Sequence, residues 1–166
     1  GLGYTNEAQL GPDGRWLYVN ETFGRRLSRF RIAADGSLGV RETVAEFGPG
    51  TFPDGLAFDA RGGLWITSIV SNRILYIEPG GRPRVVLEDA DADHLAWVEA
   101  AFQGGAMDRP HLDQVKSRKL GNISSLAFGG PDLQTAYLGC LLDDRLYRFR
   151  SPVPGRKPVH WHYDAG

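Results

Sequence analysis

Three stretches of this chain follow one plan: "NEAQLGPDGRWLYVNET" (6–22), "PDGLAFDARGGLWITSI" (53–69) and "ISSLAFGGPDLQTAYLG" (123–139). When Leu10, Phe58 and Phe128 are superposed, Tyr18, Trp65 and Tyr137 coincide as the aromatic of a second strand. Third strands open at "RLSRF", "RILYI" and "RLYRF", and fourth strands at "RETVAEF" (41–47), "RPRVVLE" (82–88) and "KPVHWHY" (157–163). The joints "PDGR", "ADGS", "ARGG" and "EPGGR" carry Gly where a hairpin needs positive φ. Asn6 and Asp54 lie 48 residues apart. A four-stranded unit recurring at about 45–50 residues is a β-propeller blade. A sandwich or meander of a dozen strands accounts for the strands but has no reason to repeat in sequence.

The expected fold is therefore all-β: three four-stranded blades, over 1–48, 49–88 and 121–166, with a short helical insertion over 89–120. Propellers close with about 4–8 blades. Three alone leave apolar faces and sheet edges uncovered. The remaining blades are expected from a longer chain or from a second copy. Within the insertion, Leu95, Val98 and Phe102 recur at helical spacing, with Asp93 as N-cap and Gly104 as terminator. Leu112, Val115 and Lys119 predict a second helix over about 110–120, with Pro110 in its first turn and Gly121 at its end. The insertion joins a fourth strand to a first strand. It either flanks the channel mouth, with Trp97 or Phe102 as apolar wall, or packs on the rim as ornament.

Composition removes several classes. Net charge is −1 over 166 residues, so no single-sign field points to nucleic acid or an anionic membrane. No apolar run approaches the roughly 20 residues of a membrane-spanning helix. Cys140 is the only cysteine; it suits small core filler, and a chain without disulfides fits a reducing, cytoplasmic setting. None of the four histidines, His94, His111, His160 and His162, pairs with a Cys or Asp at metal-ligand spacing. Arg26, Arg73 and Arg145, which open third strands, are expected to be solvated or paired between blades.

The stretches "PDGRWLYVNETFGRRLSRFRI", "FPDGLAFDARGGLWITSI" and "SSLAFGGPDLQTAYLG" resemble the C-terminal half of the SMP-30/gluconolactonase/LRE family. The resemblance covers most of the chain except 89–120. It implies a six-bladed ring, a divalent metal in the central channel and hydrolysis of sugar lactones or related esters. In the family a Glu, an Asn and an Asp hold the metal, and the Asp also serves as general base. Asn6 matches that Asn and Asp54 that Asp. The Glu, and an Asn that helps bind substrate or water, fall in blades absent from this sequence. The family usually has Asn-Gly where this chain has Asn6-Glu7, which sets an additional carboxylate near the channel mouth.

The first strand of a blade lines the channel, so Asn6, Asp54 and Ser124 are expected to converge on its axis. An amide carbonyl and a carboxylate are hard oxygen donors suited to Ca²⁺, Mg²⁺ or Mn²⁺; Zn²⁺ ranks lower without His. A dication polarises a lactone carbonyl and acidifies bound water, whose proton Asp54 can take. Glu7 and Ser124 would line the substrate pocket. The same residue types also suit local turns with their own backbone. Two rivals remain: a non-catalytic propeller that binds a ligand through its loops, and a strictosidine-synthase-like propeller, which shares the architecture without this Asn/Asp pair.

Overall fold

A computed structural model of the chain describes residues 1–114, 116–158 and 161. The chain is all-β apart from one insertion. Strands β1 (Thr5–Leu10), β2 (Trp16–Glu21), β3 (Arg26–Ile32) and β4 (Leu38–Glu46) form one antiparallel sheet in sequence order. Strands β5 (Phe52–Phe58), β6 (Leu64–Ile69), β7 (Arg73–Ile77) and β8 (Arg84–Glu88) form a second, also in sequence order. Strands β9 (Ile123–Gly129), β10 (Thr135–Cys140) and β11 (Tyr147–Arg150) form a third. The three opening strands lie side by side, β1 next to β5 and β5 next to β9.

Two cores hold the sheets face to face. Leu27, Phe47, Leu56, Phe58, Ile66 and Leu75 fill the space between the first and second sheets. Trp65, Ile74, Tyr76, Ile123, Leu126 and Leu138 fill that between the second and third. The middle sheet is thus covered on both faces, and every residue of β6 is buried. Such a strand loses the apolar–polar alternation of a half-exposed one, which is why "LWITSI" reads as a near-continuous apolar run. Cys140 sits half-buried at the edge of the second core as a free thiol, raised in pKa by burial.

The insertion carries helix α1 (Ala92–Gln103) and the short helix α2 (Arg109–Asp113). The N-cap of α1 is Asp91, not Asp93: the Asp91 carboxylate accepts from the His94 N–H at 2.8 Å, while Asp93 lies in the first turn. There its charge complements the helix dipole. The second helix is shorter than its apolar spacing predicts. It stops at Asp113 and Gln114 is extended. Asp89 competes for the backbone beyond it, its carboxylate accepting from the N–H groups of Arg118, Lys119 and Leu120. Side-chain acceptors of this kind favour loops over helix. Gly121 does not terminate a helix. It permits close approach, since a Cβ there would lie 3.0 Å from the Leu142 carbonyl. Val115 lies outside the described residues.

One other expectation is corrected in part. Arg26 and Arg73 pair within their own sheets, Arg26 with Glu21 at 2.8 Å and Arg73 with Glu88, while Arg145 is solvated as expected, near Asp143 and Asp144. Strand neighbours across a hairpin are closer than the next sheet, so the local carboxylate wins. The third sheet shows no fourth strand among the described residues. After β11 the chain turns beneath the opening strands, where Arg156 N–H donates to the Phe58 carbonyl and its guanidinium reaches the carbonyls of Leu10 and Gly11. Lys157 and Pro158 continue along a cavity bordered by the opening strands. Most of the remaining "VHWHY", with His160 and His162, lies outside the described residues.

Candidate functional site

Each opening strand is broken at the same place. Register shifts fall between Thr5 and Ala8 in β1, between Pro53 and Leu56 in β5, and opposite the Gly139–Cys140 step of β10 in β9. Asn6-Glu7, Asp54-Gly55 and Ser124 occupy these three irregularities. A bulge re-aims a side chain that regular pleating would send to a sheet face. The repeat therefore delivers Asn6, Asp54 and Ser124 to equivalent stations on three adjacent strands.

The bulge of β5 is held from the first sheet. The Asn20 amide, fully buried, donates to the Asp54 and Gly55 carbonyls at 2.9 and 3.1 Å. The Thr22 hydroxyl donates to the Pro53 carbonyl at 2.8 Å. Asn72 and Asn122 perform the matching service between the second and third sheets, accepting from Ile123 N–H and Val70 N–H. Sequence reasoning missed these four. Their one signal was polarity at strand ends, "YVNET", "IVSN" and "GNIS", where the apolar pattern of a buried strand should continue. Gly55 closes the arrangement. A Cβ there would meet the Ser124 carbonyl at 2.6 Å and Thr67 Oγ1 at 2.8 Å. Gly55→Ala should push β5 off β9 and cost about 2 kcal/mol, as overpacked interiors do; urea denaturation reads it, and a change below about 0.5 kcal/mol would contradict the close packing.

Two carboxylates of the second sheet are buried and differ in their company. Asp59, 1% exposed, accepts from the N–H groups of Arg61 and Gly63, from Trp65 Nε1 and from the Tyr76 hydroxyl. It is a satisfied structural group. Asp54, 8% exposed, receives no hydrogen bond on its carboxylate among the described residues. Burial, and then the negative charge of Glu7, push its pKa up to about 6. A buried anion without donors is costly unless a cation or proton joins it.

The remaining sequence candidates take separate places. Asn6 is exposed on β1, its amide 3.4 Å from the Thr22 hydroxyl. Glu7 is half-buried; its carboxylate accepts from Gln9 Nε2 at 2.9 Å and from the Leu56 N–H at 3.3 Å, across on β5. Beyond the bulges the opening strands border a cavity of about 470 Å³, with Glu7, Leu56 and Leu126 on its walls and Arg156 and Lys157 at its end. Ser124 is half-buried. Trp97 and Phe102 do not line that cavity: Trp97 stacks on His111 at 4.1 Å, and Phe102 packs on Phe52 and the Arg25 guanidinium. His111 is in turn paired with Asp108, a partner its spacing did not suggest. Among the described residues no three His, Cys, Asp or Glu side chains gather as a metal cluster. The Asn6 amide reaches the Thr22 hydroxyl, which in turn reaches the Pro53 carbonyl beside Asp54.

Residues 1–109 match the family described as the SMP-30/Gluconolactonase/LRE-like region. A 6-deoxy-6-sulfogluconolactonase of Pseudomonas putida is 29% identical over 143 residues, which are 85% of this chain and 39% of that protein. A luciferin-regenerating enzyme has a similar solved structure, with TM-score 0.65 and 22% identity over 95% of this chain and 48% of its own. So has a calcium-binding protein, regucalcin, of Agrobacterium tumefaciens, with TM-score 0.62 and 19% identity over 93% of this chain and 48% of its own. The sequence thus spans less than half the length of these relatives. The structural likenesses establish the propeller-type fold. No described helix is long and apolar enough to cross a membrane.

Proposed function

Since the chain belongs to the SMP-30/gluconolactonase/LRE-like family, we propose that it forms part of a divalent-metal-dependent hydrolase of sugar lactones. The observation that carries this reading is Asp54: a buried carboxylate without donors, on a bulge, beside a second bulge that offers an amide. The sulfogluconolactonase relative supports a sugar lactone as substrate. Residues 1–48, 49–88 and 121–166 would be three blades of a six-bladed ring, and 89–120 an insertion at the Asp54 end. The other blades come from a longer chain or a second copy.

The donor set fits a hard dication such as Ca²⁺, Mg²⁺ or Mn²⁺, because both donors are oxygens and one is anionic. Asn6 and Asp54 would hold it, with a further ligand from the blades that complete the ring. A bound dication supplies Lewis-acid polarisation of the lactone carbonyl and acidifies water. Asp54 takes the proton from the attacking water. The water oxygen adds to the carbonyl carbon, the ring C–O bond breaks, and the proton held by Asp54 passes to the departing alkoxide, giving the open hydroxy acid and restoring the carboxylate. Glu7 and Ser124 border the substrate's path. Exhaustive chelation of the assembled, active protein should remove lactone hydrolysis, and Ca²⁺ or Mn²⁺ should restore it. Full activity after chelation would overturn the metal-dependent reading.

A further inference from the structure

The direction in which Asn6 presents its amide is set by a residue outside the ring of bulges. Thr22 follows β2 directly and is 1% exposed. Its hydroxyl lies 2.8 Å from the Pro53 carbonyl oxygen and 3.4 Å from the Asn6 amide. A carbonyl has no hydrogen to give, so the contact with Pro53 uses the one hydrogen of the hydroxyl. What Thr22 turns towards Asn6 is then lone pairs alone. Only Nδ2 of Asn6 satisfies them, and Oδ1 faces away from Thr22. The polarity of the chain is fixed from Pro53 backwards: carbonyl, hydroxyl, amide. Its fixed end is the peptide joining Pro53 to Asp54. Asn20 holds the next two carbonyls of the same segment, so the acceptor at the end of the relay cannot drift.

We infer that Thr22 is a positioning residue of the metal site, holding the Asn6 amide so that Oδ1, and not Nδ2, is offered to the cation. The inference rests on the proposed role of Asn6 and Asp54 as ligands. An amide turned the other way would set two N–H hydrogens against a cation. Without Thr22 both orientations are open to an exposed Asn6, and the ligand is correct for only part of the time. Thr22 also links the two ligand-bearing strands: its donor end lies on the residue before Asp54 and its acceptor end on Asn6. It couples the orientation of one ligand to the backbone of the other.

The test is Mn²⁺ titration of the assembled, active protein, with free aquo-Mn²⁺ followed by EPR. Thr22→Val keeps the shape and removes the hydroxyl; it should weaken Mn²⁺ binding about tenfold, the range found when partners that orient a metal ligand are lost. Thr22→Ala, which cannot overpack the site, should do the same if the Val variant does not fold. Thr22→Ser keeps the relay and should restore affinity to within about twofold. The separating measurement uses the Asn6→Asp background. A carboxylate offers oxygen in either orientation, so Thr22→Val should change the Mn²⁺ Kd there by less than about twofold. A purely structural Thr22 would weaken binding equally in both backgrounds, and that result would overturn the inference. Unchanged affinity in Thr22→Val would also overturn it, leaving the metal reading intact. A wild-type protein that takes up no Mn²⁺ would overturn the metal reading itself, and the inference with it.

Discussion

Asp54→Asn is expected to reduce lactone hydrolysis by more than about 100-fold, since on the proposed function it removes both an anionic ligand and the proton acceptor. The same substitution should relieve the metal-free fold of a cost. The Asp54 pKa rises from 3.8 unfolded to about 6 in the fold. Between those values the folded protein binds more protons than the unfolded chain, so stability falls as pH rises through the window and levels off above about 6. The shift corresponds to roughly 2–3 kcal/mol. Asparagine does not titrate. Its stability relative to the parent should therefore improve by about that amount between pH 4 and pH 7.5, whatever constant offset the amide brings. Urea denaturation in the presence of a chelator measures it. A relative stability independent of pH would show that the Asp54 carboxylate is solvated or partnered in solution. Retention of hydrolysis would show that it has no part in the chemistry.

The second large effect concerns the helical insertion. Arg25 lies with its side chain 12% exposed between the rings of Phe52 and Phe102, 4.3 and 3.8 Å from their centroids. Its two terminal nitrogens grip both oxygens of Glu99, on α1, at 2.8 and 2.6 Å. Glu99 also accepts from the Gly50 N–H, and the Arg25 guanidinium first, with these neighbours, holds its pKa down at about 2. Glu99→Ala would strand a nearly buried cation whose Nε already lacks a partner. Losing one member of such a pair costs about 3 kcal/mol. Replacing both, as in Arg25→Met with Glu99→Leu, should recover most of it, because apolar groups of similar size fill such sites well. The pair's contribution is complete above the ordinary glutamate range near pH 4.5 and is lost as pH falls towards 2. A loss below about 1 kcal/mol in Glu99→Ala would mean that the clamp is open in solution. Together with Val98, fully buried against Phe52, Ile69 and Val70, the clamp fastens α1 to one end of the second sheet as part of the core. A loosely hinged lid would lack both attachments.

The repeat was legible because burial imposes it: the aromatic of each second strand and the apolar residues of each first strand must meet the neighbouring sheet. The equivalent stations of Asn6, Asp54 and Ser124, each at a register shift of its opening strand, followed from the same arithmetic. What the residues did not reveal were interactions set by the third dimension. Asn20 and Thr22 read as ordinary polar residues at a strand end, because their acceptors, on Pro53, Asp54 and Gly55, lie over 30 residues away. The second helix was overextended because Leu112 and Lys119 keep helical spacing. The Asp89 carboxylate that gathers the later N–H groups lies about 30 residues upstream. Glu7 showed itself as a departure from Asn-Gly, but not as a carboxylate reaching across to β5.

The bulges have a consequence for how such a ring changes over evolutionary time. A regular strand fixes the character of every position, since each side chain must suit either a core or a solvent face. The bulged station is excused from that alternation. What stands there is placed by the bulge, while its neighbour Gly55 keeps the close packing of β5 on β9. Asn, Asp and Ser occupy three copies of the same seat without disturbing the strands that carry them. Duplication of a blade thus yields a scaffold and, with it, a vacant position at the centre whose occupant selection can exchange one copy at a time. Chemistry at the axis can be rewritten while the walls keep their sequence.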